Sequence, residues 1–250
     1  MSRFLYLFPL LLLLCCTGCT LDQQELGLEA ERTYVDLLYA LQSEDAVASR
    51  TATQAFDERI RALREVWYRP MTEEGMDNLR YHVDQAECAY EEARESIEQG
   101  DLDRALVQLD RAVFEIGAGD RSALEELYVG SIYDFIAAWL EVDYQFRDLG
   151  DSVEWLALGD CTRDAHRAWN ACRGRRPSPT YYFERGVDEG AFNLAHANLH
   201  TRLNAFYGAI RRRDLPAARD LSNEVSEALW DLLLPFGTGL PPSFGEDPAI

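Results

Sequence analysis

Three observations predict an all-α fold. Apolar residues recur at spacings of three and four from residue 23 to residue 234, the period of a helix with one buried face. Helix punctuation separates these runs: Gly100-Asp101, Gly150-Asp151, Asp214 ahead of Pro216, and the prolines at 70 and 235. One run, 121–148, is apolar over much of its circumference, which suits a helix surrounded by others. The expectation is about eight helices in antiparallel hairpins, forming a bundle or a short helical array with no sheet.

The first helix, about 23–41, presents Ala30, Tyr34, Leu37, Leu38 and Leu41 on one face and stops at Ser43-Glu44-Asp45. The second, about 46–68, presents Ala52, Phe56, Ile60, Leu63 and Trp67 and stops before Pro70. Thr72 reads as an N-cap, and Glu73 and Glu74 as acids favourable to the helix dipole. The third helix, about 73–99, buries Met76, Leu79, Val83, Ala86, Tyr90, Ala93 and Ile97. At Gly100-Asp101 the glycine suits the position after a helix and the aspartate caps the next, which runs over about 102–117. The fifth helix is expected unbroken over about 121–148, with Tyr128, Ile132, Phe135, Ile136, Trp139 and Phe146, and is the most central one. Leu149-Gly150-Asp151 ends it. A sixth helix covers about 152–172, and an irregular segment with two prolines covers 173–186. The seventh helix covers about 188–213 and the eighth about 215–234, with Pro216 acceptable in its first turn. The last fourteen residues, 237–250, are rich in glycine and proline and read as a loose tail.

The two halves echo one another in order. Tyr34-Val35-Asp36-Leu37-Leu38 is answered by Ile132-Tyr133-Asp134-Phe135-Ile136, and Arg64-Glu65-Val66-Trp67 by His166-Arg167-Ala168-Trp169. Glu74-Gly75 is answered by Glu189-Gly190, and the residues after Asp101 by those after Asp214. This suggests two duplicated four-helix units, residues 19–117 and 118–236. Ala89 to Ile116 also resembles a tetratricopeptide-repeat hairpin. The helix entering it is about two turns too long for that repeat, so it reads as a generic αα-hairpin.

Ahead of the helical region, Met1-Ser2-Arg3 carries one positive charge, and Phe4 to Leu14 is apolar apart from Pro9. That run falls short of the roughly 20 residues a span needs. It is followed by Cys15, Cys16 and Cys19, and Thr17 and Gly18 place small residues just before Cys19. This pattern resembles a bacterial lipoprotein signal peptide. The resemblance implies cleavage after residue 18 and lipidation of Cys19. Acyl chains, at roughly 0.8 kcal/mol per buried methylene, would then hold the chain to a membrane. Thr20 after the cysteine implies the outer membrane, with the chain facing the periplasm.

The chain has 44 acidic residues against 24 arginines, no lysine, and a net charge of −20. Such a charge excludes nucleic acid and anionic lipid as partners bound through net charge. Apolar content, 47%, is ample for a core and argues against general disorder. In an oxidising compartment Cys88, Cys161 and Cys172 could pair. Cys161 and Cys172 on one continuous helix would lie about 16 Å apart, against about 7 Å at most between the Cα atoms of a bridge. A bridge from Cys88 to one of them stays open.

His196 and His200, four apart, can face one side of the seventh helix, the spacing of a metal pair. His82 and His166 are the other histidines, and a flanking-core role for His196 competes with ligation. No glutamate lies between the pair as in a zinc protease, and no Cys-x-x-Cys-His motif attaches a haem. No cofactor is expected. Arg173, Arg175, Arg176, Tyr181, Tyr182 and Arg185 form a basic and aromatic island, a composition favoured at binding hot spots. With no glycine-rich phosphate loop and no nucleophile–base ordering, an enzyme is not expected. Two expectations follow: a non-catalytic, lipid-anchored protein that binds another envelope protein through this island, or a carrier of a small ligand, metal or haem in the bundle interior.

Overall fold

The computed structural model describes the backbone of residues 7–67, 73–119, 121–148 and 154–238, and the side chains of 25–62, 78–119, 121, 125–146 and 154–238. Helices account for most of these residues, and no strand occurs among them. They are α1 (Leu7–Gln42), α2 (Ala46–Trp67), α3 (Glu73–Gln99), α4 (Leu102–Gly119), α5 (Arg121–Glu126), α6 (Tyr128–Ser131), α7 (Tyr133–Asp148), α8 (Trp155–Cys172), α9 (Glu189–Arg212) and α10 (Leu215–Leu233). Short 3-10 turns lie at Phe183–Arg185 and Leu234–Phe236. None of the helices, among the described residues, is long and apolar enough to cross a membrane. The side chains of the segment read as a lipoprotein signal, the link at 149–153 and residues 239–250 lie outside the described residues.

The helices pair as α1 with α2, α3 with α4, α7 with α8, and α9 with α10. In the first half α1 also meets α4 and α2 meets α3. The same arrangement recurs in the second half, where α7 meets α10 and α8 meets α9.

Three hairpins turn on one local device. Glu44, Gly100 and Arg213 have φ of 55°, 79° and 56°, each in the left-handed region. The next residue in each case is an aspartate whose N–H reaches back to a carbonyl five residues earlier: Asp45 to Ala40, Asp101 to Ser96, and Asp214 to Ala209. This is the Schellman closure of a helix C-terminus. The aspartate side chain then caps the helix that follows. Asp45 accepts from Val47 N at 3.0 Å and Ala48 N at 2.9 Å, Asp101 from Arg104 N at 3.2 Å, and Asp214 from Ala217 N at 3.3 Å. Two residues thus end one helix and begin another.

The expected unbroken helix over 121–148 is corrected by the structure. It breaks at Leu127, which is extended (φ −91°, ψ 147°), and again at Ile132 (φ −112°, ψ 9°). A helix break frees backbone N–H groups, and here buried side chains take them. Glu31 of α1 accepts from Val129 N at 2.6 Å, and the Tyr182 hydroxyl accepts from Tyr128 N at 2.9 Å. Gly130, Val129 and Ile132 are also weak helix formers. A tertiary clasp therefore outweighs continuity of the helix at this point.

The most buried part of the old fifth helix is α7, where Phe135, Ile136, Trp139 and Val142 are almost fully enclosed. Phe135 tilts against Trp169 of α8 at 5.0 Å, and Trp139 meets Phe206 of α9 edge-on at 5.2 Å. Both halves share one hydrophobic core. Polar bonds also cross between them. The Tyr133 hydroxyl donates to Asp110 Oδ1 at 2.6 Å, and Gln42 Nε2 donates to Asp143 Oδ2 at 2.6 Å. Asp143 Oδ1 in turn accepts from Ser226, which accepts from the Trp139 indole, each at 3.0 Å. Phe236 stacks on Tyr128 at 4.8 Å and brings the chain back to α1, where the Thr238 hydroxyl donates to Asp36 at 2.5 Å.

Candidate binding surface on the connection between α8 and α9

The connection leaves α8 at Cys172 and enters α9 at Asp188, whose side chain caps the helix by accepting from Ala191 N at 2.6 Å. Three buried residues, Pro177, Tyr182 and Val187, pin it to the body. Between these anchors Arg173, Arg175, Arg176 and Arg185 are exposed.

The six residues of the island have different roles. Tyr182 is not at the surface. It is 4% exposed, donates to Glu31 Oε2 at 2.5 Å and accepts from Tyr128 N. Burial pushes the Glu31 carboxyl up to about 7, against the opposing pull of hydrogen bonds from Tyr182, Val129 and Gly130. Tyr181 is half-buried and packs on the core. Arg175 pairs with Glu125 at 2.9 Å, and Arg121 holds the same carboxylate at 2.9 Å while reaching Asp134 at 2.7 Å. Arg185 pairs with Glu25 at 3.1 Å. Arg176 turns back and donates through Nη1 to the carbonyls of Arg173 (3.1 Å) and Arg175 (3.0 Å). Those carbonyls follow the end of α8, where a cation is favoured. Neither Arg173 nor Arg176 pairs with a carboxylate among the described residues.

Beside these two arginines stand the two histidines four apart on α9. Arg173 Nη1 is 3.4 Å from His200 Nε2, and Arg176 Nη1 is 3.5 Å from His196 Nε2. Trp169, fully buried on α8, lies under both rings, with centroids 4.9 Å from His196 and 6.5 Å from His200. Its indole N–H donates to His200 Nδ1 at 3.0 Å. Burial, and then the positive charge of Arg176, holds His196 below its ordinary value; burial, Arg173 and His166 do the same for His200.

His166 joins from α8. Its ring stacks on Tyr207 at 4.5 Å, and its Nε2 lies 3.2 Å from Asn204 Oδ1. Asn170 Nδ2 is 3.1 Å from its Nδ1. His82, in the other half, bonds Glu115 at 2.8 Å. Among the described residues no group of three or more histidines, cysteines or carboxylates has the geometry to hold a metal ion. The expected His196–His200 pair does share a face, but with two guanidinium groups rather than with a further ligand. The described cysteines, Cys88, Cys161 and Cys172, are unpaired thiols, and α8 runs unbroken between Cys161 and Cys172. Burial pushes the Cys172 thiol up to about 11, so it is protonated and inert at neutral pH.

A second concavity lies in the first half. It is a cavity of about 180 Å³ between α2, α3 and α4, lined by Phe56, Ile60, Ala86, Tyr90, Leu109 and Val113. Asp57 and Arg94 sit at its edge, 3.7 Å apart.

Sequence reasoning found the arginines, Tyr182 and the histidine pair, but not Glu31 and Tyr128 as partners of Tyr182, nor Trp169 and Asn204 as partners of His200. Glu31 left a signal: it lies three, four and seven residues before Tyr34, Val35 and Leu38, so an acid occupied the buried stripe of α1. Asn204 left none, because its role depends on which face of α8 it meets.

The fold and the surface define a class: an all-α protein of paired antiparallel helices carrying a cationic, histidine-bearing face in an acidic chain. Beyond that class, the chain matches no family model, no curated protein and no solved structure.

Proposed function

We propose that this is a non-catalytic, lipid-anchored protein of the cell envelope that binds another envelope protein through the connection between α8 and α9. The observation that carries the reading is the exposure of four arginines on one connection pinned by Pro177, Tyr182 and Val187, in a chain of net charge −20. A surface whose backbone is already fixed loses little entropy on docking, and arginine and tyrosine are favoured at interface hot spots. The lipid anchor rests on Thr17-Gly18-Cys19. Thr20 after that cysteine supports the outer membrane as its site, with the chain facing the periplasm.

The test is photo-cross-linking in intact cells from a reactive side chain placed at the exposed Thr180. A discrete adduct is expected with the wild type. It should be lost when Arg173, Arg175, Arg176 and Arg185 are all replaced by Ser, with helicity and melting retained. An adduct that survives those changes overturns the reading. Mass spectrometry checks the anchor: a mature chain beginning at an acylated Cys19 is expected, and Cys19→Ser should release the protein from the membrane or leave it uncleaved.

The cavity between α2, α3 and α4 favours a second reading, a carrier of a small apolar ligand. Its volume resembles that of cavities that take up benzene-sized molecules, about 150 Å³. Ile60→Trp should fill it with little loss of stability and abolish binding of such a probe.

A further inference from the structure

The geometry points to a carboxylate-binding site at Arg173 and His200, which receives an acidic side chain of the protein partner; this rests on the reading given under Proposed function. An indole is a hydrogen-bond donor and nothing else. Because Trp169 donates to His200 Nδ1, that nitrogen is the unprotonated one, and the proton of the neutral ring sits on Nε2. His200 Nε2–H is therefore a donor. Arg173 Nη1, 3.4 Å away, is also a donor. Asn204 Nδ2 lies against the ring, 3.2 Å from Nε2 and 3.4 Å from Nδ1, with its N–H going to the His200 carbonyl at 2.8 Å and its Oδ1 taking the His166 Nε2–H. Donors converge on this point with no acceptor among the described residues.

Electrostatics agree with the geometry. The charged or titratable groups acting on His200 are Arg173 and His166, and those on His196 are Arg176, His200 and Arg173. No carboxylate among the described residues is one of them, in a chain with 44 acidic residues. The arrangement repels a metal cation and suits an oxyanion. Arg176 already spends one Nη on the carbonyls that follow α8, whereas the exposed Arg173 keeps its guanidinium beside the half-buried His200 Nε2. Two donors match the two oxygens of a carboxylate. Beneath the His200 ring lies Trp169, fully buried, so the site has a rigid base and a built-in reporter.

The test titrates hexaglutamate peptide, and separately inorganic phosphate, into the full chain in neutral detergent. Nitrogen–proton NMR follows the imidazoles and the Trp169 indole. The free protein should show His200 as the Nε2–H tautomer. Hexaglutamate should shift its Nε2 and the Trp169 N–H saturably, with affinity falling about tenfold in Arg173→Gln, as expected on losing a charge-assisted hydrogen bond. Arg211→Gln, at the far end of α9, should bind as the wild type does. No saturable shift, or an equal shift in Arg173→Gln, overturns the site. Saturation by phosphate but not by hexaglutamate overturns the carboxylate assignment. If hexaglutamate fails while the arginine-dependent cross-link from Thr180 persists, this site is wrong and the partner reading stands. If hexaglutamate saturates with no such cross-link, the site is supported and the partner reading falls.

Discussion

Tyr182 closes a clasp in which three distant segments satisfy one another. Its hydroxyl donates a hydrogen bond to Glu31 and accepts one from Tyr128 N, while Glu31 accepts another from Val129 N. Tyr182→Phe would leave a buried carboxylate oxygen and a buried N–H without partners. Urea denaturation should show a loss of about 2–3 kcal/mol; an unchanged midpoint would mean the clasp is dispensable. The same change should abolish partner capture only through unfolding, unlike the surface arginine changes. Glu31 also predicts a pH dependence. Its folded-state value, about 7, lies above its ordinary value of 4.5, so the neutral form favours the fold. That stabilisation is complete below the unfolded value and disappears as pH rises through the folded one. Stability should therefore fall by a few kcal/mol between about pH 5 and pH 8, and Glu31→Gln should flatten that slope. An equal slope in the variant would assign the dependence to other groups.

At the scale of the element, the shared turn at Glu44, Gly100 and Arg213 predicts opposite effects of matched substitutions. A side chain in the left-handed region costs about 1 kcal/mol. Gly100→Ala should destabilise by roughly that amount, whereas Arg213→Gly should stabilise by about 0.5–1 kcal/mol. Thermal melts decide it, and equal signs would rule out backbone conformation as the cause. These turns were legible in the sequence because helix punctuation is local: Gly100-Asp101 and Asp214 mark the same boundaries in the chain and in the fold. The bounds of α2, α3 and α9 were read to within a residue or two for the same reason. The break at Leu127 was not legible. Tyr128 and Ile132 continue a helical spacing, and what interrupts them comes from Glu31 and Tyr182. Within the candidate surface, Tyr182 was misplaced by the same blindness. A tyrosine beside arginines looks like an exposed anchor until its buried acid is known.

For the whole molecule, the shared core means that the two similar halves are not independent. Calorimetry should show one cooperative transition; two resolved transitions would contradict the shared core and the links through Asp110 and Asp143. A net charge of −20 also repels itself, so added salt should raise the melting temperature, by screening over roughly 10 Å at 0.1 M. The clasp has a further consequence, in time rather than space. Glu31 is paired with a hydroxyl 151 positions later and with a backbone N–H 98 positions later. A chain made from its N-terminus therefore carries α1 with an incompletely paired acid on its apolar face until Tyr182 has emerged. Local hairpins can form on the way, but α1 cannot be sealed before Tyr182 arrives. A nascent chain stalled short of that residue should be protease-sensitive throughout its first helix.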